Sequence, residues 1–476
     1  MAPSLASPIT ADEGCTPTIA AGCHQRRTGY ISGRVIVEGR AAPTLSLANQ
    51  EDLSGTNCSP RCHPPPTDEE NFPDPAKTWN PDPRVYYSRR LQQQRALHAR
   101  PAIPPVLPPR FPARIDPASP LVWSGQDLVE HEYLRSLSAD DIAEIEHALE
   151  HFKGLSLPIA AVGRKTFPLP ELGPRIISLS NKLYGQNNGR GFFILRGLDP
   201  KKYSARDNVI LYAGIASYVA ERRGRQDEKN NYLLHLTDLG ASVAPDNVRQ
   251  APYSNVPQPF HTDTADILAL YTLRPAFRGG RSLLASSSKI YNSLAPAHIA
   301  TLAAPNWAFD SFGRTPSYTL RPLLYSVPSG TTRRIQLSFS RRPLTGSPVS
   351  PRTPTIPSLT PAQSAALDTV HFCGVAHALS VAQQPGDLLF WNNFALLHAR
   401  EGFQDREEPE ERRHLLRLWL RDDKRAREWG NVPEELMAPW RDAFEGEGEM
   451  GVENWPVEPV REFAFVTEQR RSSGHA

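Results

Sequence analysis

Three side chains in the second half of the sequence could together bind a metal ion. His261 and Asp263 lie two positions apart in PFHTDTADILALY, and His398 lies far downstream in DLLFWNNFALLHAREGF. In extended backbone, residues i and i+2 point to the same face, so His261 and Asp263 can reach one ion. Two histidines and one carboxylate on one face of an iron leave open positions for a co-substrate and oxygen. The pattern predicts a non-haem Fe(II) site.

Each of these residues also has an ordinary structural explanation. Taken singly, His261 could be a polar residue at a strand edge, Asp263 a turn residue and His398 a satisfied core histidine. With 14 histidines in the chain, a chance His-x-Asp triplet is nearly expected. All three residues would have to have such ordinary roles by coincidence, and this favours the metal site.

The body of the chain contains both helical and strand-like patterns, which predicts an α+β fold. Ser138 is expected to cap a helix with apolar residues at helical spacing, and Thr360 before Pro361 begins another. Two more helices are predicted in LGPRIISLSNKLYG and ARDNVILYAGIASYVAERRG. Short apolar runs such as ILALYTL, SLLASS and HLLRLWLR, separated by turn-rich joints, are typical of a β-sandwich or jelly roll.

Proline marks the N-terminal part of the chain. The chain has 47 prolines, about twice the average share of roughly 5 %, and the excess is concentrated in residues 1–120. Proline removes backbone donors and interrupts helices and central strands, so residues 1–119 are predicted to be a disordered or extended arm. The strand-like GYISGRVIVEG within this arm is too isolated to persist. We expect the folded domain over residues 120–445 and a charged tail over residues 446–476.

Composition argues against several classes of partner. Lys and Arg number 53 and Asp and Glu 51, and no block of like charges forms a nucleic-acid or membrane patch. No apolar run approaches the roughly 20 residues that cross a bilayer. The first residues lack the basic and apolar segments of a secretory signal. We therefore expect a cytoplasmic protein with a small-molecule substrate, and the sequence leaves its oligomeric state open.

Five cysteines in a chain of this length do not make a disulfide framework. Four of them lie in the predicted arm, and their spacing matches no standard zinc finger. We interpret these four as free thiols: Cys15, Cys23, Cys58 and Cys62.

In combination, these motifs resemble the taurine/2,4-dichlorophenoxyacetate dioxygenases (TauD/TfdA), a family that includes clavaminate synthase and many fungal relatives. The resemblance spans roughly residues 120–445. It implies a double-stranded β-helix, or jelly-roll, core with helices packed outside. The matching motifs are His261-Thr262-Asp263, Gly279-Gly280-Arg281-Ser282, the distal His398, and the pair Arg413 and Arg417 in RRHLLRLWLRDD.

The resemblance also implies a role for each residue. Arg413 is similar to the arginine that binds the distal carboxylate of 2-oxoglutarate, and Ser282 to the threonine that hydrogen-bonds it. Arginine suits this task because its planar fork pairs bidentately and stays protonated. Arg417 resembles an arginine that, in some members, contacts an anionic substrate or the metal-proximal carboxylate.

Further candidates surround these residues. Asn392, Asn393 and Arg400 flank His398 and could orient it or close a turn. Other residues lie where family members line the substrate pocket, with structural roles as an equal alternative: Phe260, Asn255 and Arg225-Gln226.

The implied function is that of an Fe(II)- and 2-oxoglutarate-dependent dioxygenase. Such an enzyme uses O2, releases succinate and CO2, and hydroxylates or desaturates a small organic molecule, such as an organic acid or a secondary metabolite. One alternative is a non-catalytic jelly-roll protein that binds or senses a small acid, and another is a zinc hydrolase. A sensor would be expected to lose ligands or Arg413 first, and a hydrolase gives no reason for Arg413 and Ser282.

Overall fold

The computed structural model divides the chain into two compact units, Met1–Arg61 and Cys62–Ala476. The residues that it describes are 28–31, 34–37, 40–41, 79–99, 106–330, 332–408, 411–446 and 452–467. The first unit contains an antiparallel sheet of β1 (Thr28–Ile31), β2 (Arg34–Val37) and β3 (Arg40–Ala41). The strand-like segment expected to be isolated therefore folds back and pairs with itself. The prediction of disorder for the remainder of residues 1–78 lies outside the described residues.

The described helices all belong to the second unit. They are α1 (Pro83–Ala99), α2 (Glu130–Tyr133), α3 (Ala139–Gly154), α4 (Leu172–Ser180), α5 (Ala205–Val219), α6 (Ser287–Asn292), α7 (Pro296–Ala303), α8 (Arg342–Thr345), α9 (Pro361–His377), α10 (Asp423–Trp429), α11 (Met437–Phe444) and α12 (Phe463–Thr467).

The strands of the second unit are β4 (Leu134–Ser136), β5 (Phe192–Arg196), β6 (Arg222–Gly224), β7 (Leu233–Thr237), β8 (Gln258–His261), β9 (Ile267–Arg274), β10 (Arg278–Gly279), β11 (Ser282–Ser286), β12 (Trp307–Asp310), β13 (Tyr318–Arg321), β14 (Leu324–Ser329), β15 (Thr332–Leu337), β16 (Leu379–Val381), β17 (Leu388–Asn392), β18 (Leu396–Arg400), β19 (Phe403–Gln404) and β20 (His414–Arg421).

Two sheets form the body of this unit. The larger has seven strands in the order β4-β5-β17-β9-β20-β6, with β7 also paired to β20. The smaller has four strands in the order β16-β11-β18-β8. All of these pairs are antiparallel except β4 with β5. A cavity is lined by residues of both sheets, and this arrangement confirms the predicted jelly-roll core with flanking helices.

Local sequence signals explain where the predicted helices begin. The Ser138 side chain accepts a hydrogen bond from the Asp141 N–H, and Thr360 accepts one from the Gln363 N–H. Both expected caps are therefore confirmed. The helix predicted in ARDNVILYAGIASYVAERRG is α5, and it ends earlier than its pattern indicated, at Val219. It ends there because the following segment is extended and pairs with β20 as strand β6.

Two helices position the strands that carry the candidate site. Helix α5 packs behind β9, where the Tyr271 hydroxyl donates to Asn208 Oδ1 at 2.8 Å. Helix α9 packs against β8 through Gly374, because a Cβ there would lie 2.9 Å from the Phe260 ring. Phe260 is fully buried and immediately precedes His261. Close packing of α9 against Phe260 thus fixes β8, the strand that ends with the candidate ligand His261.

Helix α1 lies inside the segment that was predicted to be disordered. Residues 84–99 contain no proline, and Pro83 occupies the first helical position, where its missing N–H costs nothing. The Tyr86 ring stacks on Phe372 of α9 with centroids 4.6 Å apart, and Arg89 pairs with Asp368 at 3.2 Å. This part of the arm therefore packs on the folded body.

The segment predicted as a charged tail also contacts the body. Val466 is fully buried beside Leu239 and Tyr253, and the Gln250 N–H donates to the Val466 carbonyl at 2.9 Å. Trp455 stacks on Tyr232 with ring centroids 6.3 Å apart. Within the residues described, no helix is both long enough and apolar enough to cross a membrane.

Candidate active site

The three predicted metal ligands lie together at one end of the small sheet. His261 ends β8, Asp263 follows two residues later, and His398 belongs to β18. Strands β8 and β18 pair so that His398 lies directly opposite His261. One potential ligand atom from each of the three residues lies within 4.8 Å of the other two. Strand register thus joins residues that are far apart in the sequence.

The two histidines are held as neutral imidazoles. His261 Nδ1 lies 2.9 Å from the Pro259 carbonyl, which identifies it as the N–H donor and leaves Nε2 free to bind a metal. Desolvation lowers the pKa of His261. Desolvation, followed by the repulsion that two protonated imidazoles would have and by the charge of Arg417, lowers the pKa of His398 well below its ordinary value. Their ring centroids are 4.0 Å apart. Neutral imidazoles are the form in which histidine binds metals.

The two oxygens of the Asp263 carboxylate have different surroundings. Its Oδ2 accepts hydrogen bonds from Arg417 Nη1 at 2.8 Å and from Trp419 Nε1 at 3.1 Å. Its Oδ1 lies 3.7 Å from His261 Nε2 and accepts no hydrogen bond from any described residue. A buried carboxylate oxygen without a donor is costly unless a cation binds it. The donor set therefore fits a divalent metal ion.

Backbone contacts hold the ligand loop in place. Asn393 Nδ2 donates to the carbonyls of Asp263 and Ala265, both at 2.7 Å, and Asn393 Oδ1 accepts from the Asp263 N–H at 3.1 Å. Asn393, one of the residues expected to orient His398, thus holds Asp263 instead. Asn392 closes the adjacent turn by accepting from the N–H groups of Phe394 and Ala395.

Arg413 lies in a cavity that His261 and His398 also line. It is 2 % exposed, and its Nη1 has no hydrogen-bond partner among the described residues. Burial lowers the pKa of Arg413 to about 10, so it remains a cation at neutral pH. The lining residues of the cavity are Leu236, Pro252, Gln258, His261, Leu268, Leu270, Ser282, Leu284, Trp391, His398, Ala399, Arg400, Arg413 and Arg417.

The glycine pair before Ser282 leaves room for Arg413. Gly280 has a φ of +69°, and a Cβ there would lie 3.2 Å from Arg413 Cδ and 3.1 Å from Phe403 Cβ. Gly279 has a φ of +71°, and a Cβ there would lie 2.3 Å from the Gly402 carbonyl oxygen. Both positions require glycine because the backbone is left-handed and its neighbours are close.

Ser282 lines the same cavity, but its hydroxyl already has a partner. Ser282 Oγ donates to Gln383 Oε1 at 2.7 Å, and Gln383 Nε2 donates to Thr272 Oγ1 at 2.9 Å. Ser282 lines the cavity together with Arg413. Its hydroxyl donates to Gln383, whereas the resemblance implied a hydrogen bond to 2-oxoglutarate.

Arg417 lies on the same face of β20 as Arg413 and binds Asp263 through Nη1. Its Nε donates to Gln226 Oε1 at 2.8 Å, and Gln226 Nε2 donates back to the Arg417 carbonyl at 2.8 Å. A pocket-lining role and a structural role were equal alternatives for Gln226, and its contacts with Arg417 are structural. Trp419 was not among the residues predicted for the site, although alternation along β20 places it on the same face as Arg417.

The remaining pocket candidates have structural contacts. Arg225 pairs with Asp442, the Asn255 carbonyl accepts from the Phe403 N–H at 3.1 Å, and Phe260 packs on α9. Arg400, by contrast, lines the cavity. The cavity is thus bounded by three arginines, and none of its lining residues is a carboxylate.

Fold and site together define a jelly-roll protein with two histidines and one carboxylate beside a cationic cavity. Residues 151–419 match the family described as "Taurine catabolism dioxygenase TauD, TfdA family". The chain is 35 % identical over 350 residues to the "Taurine hydroxylase-like protein SAT17" of Stachybotrys chartarum, covering 71 % of this chain and 88 % of that one. It is 24 % identical over 288 residues to the "FR-33289 synthase" of Streptomyces rubellomurinus, covering 58 % and 82 %.

Similar solved structures include an asparagine oxygenase, with a TM-score of 0.48, 16 % identity and coverage of 62 % of this chain and 95 % of that one. Another is the non-heme iron oxygenase OrfP in complex with Fe and alpha-ketoglutaric acid, with a TM-score of 0.45, 18 % identity and coverage of 62 % and 96 %. The family match and the similarity to the Stachybotrys protein show that this chain belongs to the TauD/TfdA family. It is an oxidoreductase of the Fe(II)- and 2-oxoglutarate-dependent dioxygenase class.

Proposed function

We propose that the chain binds one Fe(II) through His261, Asp263 and His398 and holds 2-oxoglutarate between this iron and Arg413. The observation that carries the proposal is the buried Asp263 Oδ1, which lies 3.7 Å from His261 Nε2 and accepts no hydrogen bond from the part of the chain that the structure describes. Two imidazoles and one carboxylate suit Fe(II) while leaving positions open for 2-oxoglutarate and O2.

The charge of the cavity supports 2-oxoglutarate as its occupant. Arg413 Nη1 is buried without a partner among the described residues, so it can donate to a distal carboxylate without breaking a bond. A guanidinium binds a carboxylate through charge-assisted hydrogen bonds, which are roughly twice as strong as neutral ones. The leucines that line the same cavity exclude water and so strengthen this attraction.

The residues of the chain then have separate tasks. When bound, the iron and 2-oxoglutarate supply the oxidising chemistry, in which O2 is consumed and succinate and CO2 are released. Arg417 and Trp419 hold one oxygen of Asp263 and so keep the other directed at the metal site. Asn393 fixes the backbone of the same residue. These contacts preorganise the ligand set.

The proposed substrate is a small organic molecule that is hydroxylated or desaturated at a C–H bond. The names of the two relatives, a taurine hydroxylase-like protein and a synthase, are compatible with this proposal. Within it, an organic acid or a secondary metabolite is the substrate class to test first.

Succinate formation from 2-oxoglutarate, with Fe(II) and ascorbate, tests the proposal. We expect turnover that falls to near background when any of the three ligands is changed to alanine. His147→Ala, on the exposed face of α3, is the matched control and should retain activity. Binding of 2-oxoglutarate without succinate formation would instead support the sensor, and full turnover in a ligand variant would refute the assignment.

A further inference from the structure

Arg400 is a buried arginine that lines the cavity, and the proposed function assigns it no role. It is 8 % exposed and lies directly opposite Ser282 in the pairing of β18 with β11. Side chains of directly opposed residues project from the same face of a sheet. Arg400 therefore lies beside the residue that resembles the hydroxyl partner of 2-oxoglutarate.

The guanidinium of Arg400 is only partly engaged. Its Nη2 donates to the carbonyls of Ser254, at 2.9 Å, and Val256. Its Nε is buried and has no partner among the described residues. A buried N–H group without an acceptor is costly, and an anion in the cavity would relieve this cost.

Arg400 and Arg413 share one aromatic neighbour. The Arg400 Cζ lies 4.9 Å and the Arg413 Cζ 5.1 Å from the centroid of the Phe403 ring. Burial and the charge of Arg413 lower the pKa of Arg400, with Asp238 and Asp405 opposing this effect. Two buried cations near one ring repel each other, and a bound anion would offset the repulsion.

Because the Ser282 hydroxyl donates to Gln383, a carboxylate bound in the cavity would need a hydrogen-bond donor other than Ser282. Its hydroxyl proton is directed to Gln383 Oε1, whose own amide donates to Thr272. A carboxylate has two oxygens and accepts several hydrogen bonds. Arg413 Nη1 carries two N–H groups and Arg400 Nε carries one, and neither nitrogen has a hydrogen-bond partner among the described residues.

We propose that Arg400 acts with Arg413 as a second cationic partner of the distal carboxylate of 2-oxoglutarate. This inference rests on the proposed function, since it concerns the same co-substrate. Arg400 then sets the preference for a dicarboxylate over a monocarboxylate keto acid. A residue that only tied the Ser254 loop to β18 would not set this preference.

Calorimetric binding to the full-length Mn(II) protein tests the proposal without turnover. The two ligands are 2-oxoglutarate and 2-oxopentanoate, which has the same carbon chain but lacks the distal carboxylate. Arg400→Gln should weaken 2-oxoglutarate by roughly ten- to a hundredfold, the range for losing one charge-assisted hydrogen bond. Binding of 2-oxopentanoate should change by less than about threefold, because the lost bond is absent from its complex.

Arg223→Gln is the matched control. Arg223 also donates to two backbone carbonyls, those of Val162 at 2.9 Å and Ala160 at 2.8 Å, and its Cζ lies 4.9 Å from the centroid of the Trp455 ring. It does not line the cavity. This variant should lose stability while leaving the ratio of the two affinities unchanged.

Arg400→Lys keeps the charge and provides a test if the glutamine variant does not fold. It should retain most of the preference for 2-oxoglutarate. An unchanged affinity ratio in Arg400→Gln, or a lysine variant that folds but loses the preference, would overturn the proposal. If the wild-type protein bound neither keto acid, the proposed function itself would fail, and this outcome is distinct.

Discussion

Replacing Arg417 by leucine should destabilise the metal-free protein, and a divalent metal should restore part of the loss. The Arg417 and Asp263 side chains are 7 % and 0 % exposed and pair at 2.8 Å. Removing one partner of a buried ion pair costs roughly 3–5 kcal/mol because the other charge is left uncompensated. Trp419 still donates to Asp263 Oδ2, so we expect the lower part of this range, about 3 kcal/mol.

Metal binding places a new positive charge beside Asp263 Oδ1. In the leucine variant, this charge compensates the carboxylate that Arg417 no longer neutralises. The deficit in unfolding free energy should therefore shrink, by about 1 kcal/mol or more, when Mn(II) is saturating. Chemical denaturation followed by tryptophan fluorescence, with and without Mn(II), measures both quantities.

The same strand offers a matched control four residues further on. Arg421 pairs with Asp266 at 2.5 Å, and Trp440 Nε1 donates to the other Asp266 oxygen at 2.9 Å. Like the Arg417–Asp263 pair, this is a buried arginine–aspartate pair with a tryptophan donor, although Arg421 also pairs with Asp423 at 2.6 Å. Asp266 belongs to no cluster of candidate metal ligands among the described residues. Arg421→Leu should destabilise the protein without any rescue by Mn(II). Equal rescue of both variants, or none for Arg417→Leu, would refute the reasoning.

Three further outcomes are expected. Arg413→Leu should weaken 2-oxoglutarate by roughly thirty- to a thousandfold, measured anaerobically by the metal-to-ligand absorption band of the Fe(II) protein. Burial lowers the pKa of His235 to about 4. As the pH falls, His235 is therefore protonated in the unfolded chain before it is protonated in the folded protein. Stability should therefore decrease between about pH 6.5 and pH 4, by roughly 3 kcal/mol, and denaturation midpoints should change less with pH in His235→Gln. Deleting residues 1–78 should leave the melting temperature unchanged, whereas deleting residues 1–99 should lower it, because α1 packs on α9; equal melting temperatures would contradict that contact.

The sequence by itself determined the features that depend on near neighbours. The spacing of His261 and Asp263 puts both on one side of an extended segment, and the same alternation aligns Arg413 with Arg417. The start of helix α3 followed from Ser138, whose side chain caps the N–H of a residue three positions away. Such features need only a few adjacent residues. Combined with the distant His398 and the family resemblance, they indicated the fold class and the kind of site.

Tertiary structure alone decided which distant groups meet. His398 reaches His261 through the register of β18 on β8, which no local pattern specifies. Arg417 binds Asp263, and Ser282 binds Gln383, because the fold brings together groups that are 154 and 101 positions apart in the sequence. Helix α1 persists because packing against α9 stabilises a segment whose proline-rich surroundings indicated disorder. Burial selects these partners, and burial is a property of the whole folded chain rather than of any one segment.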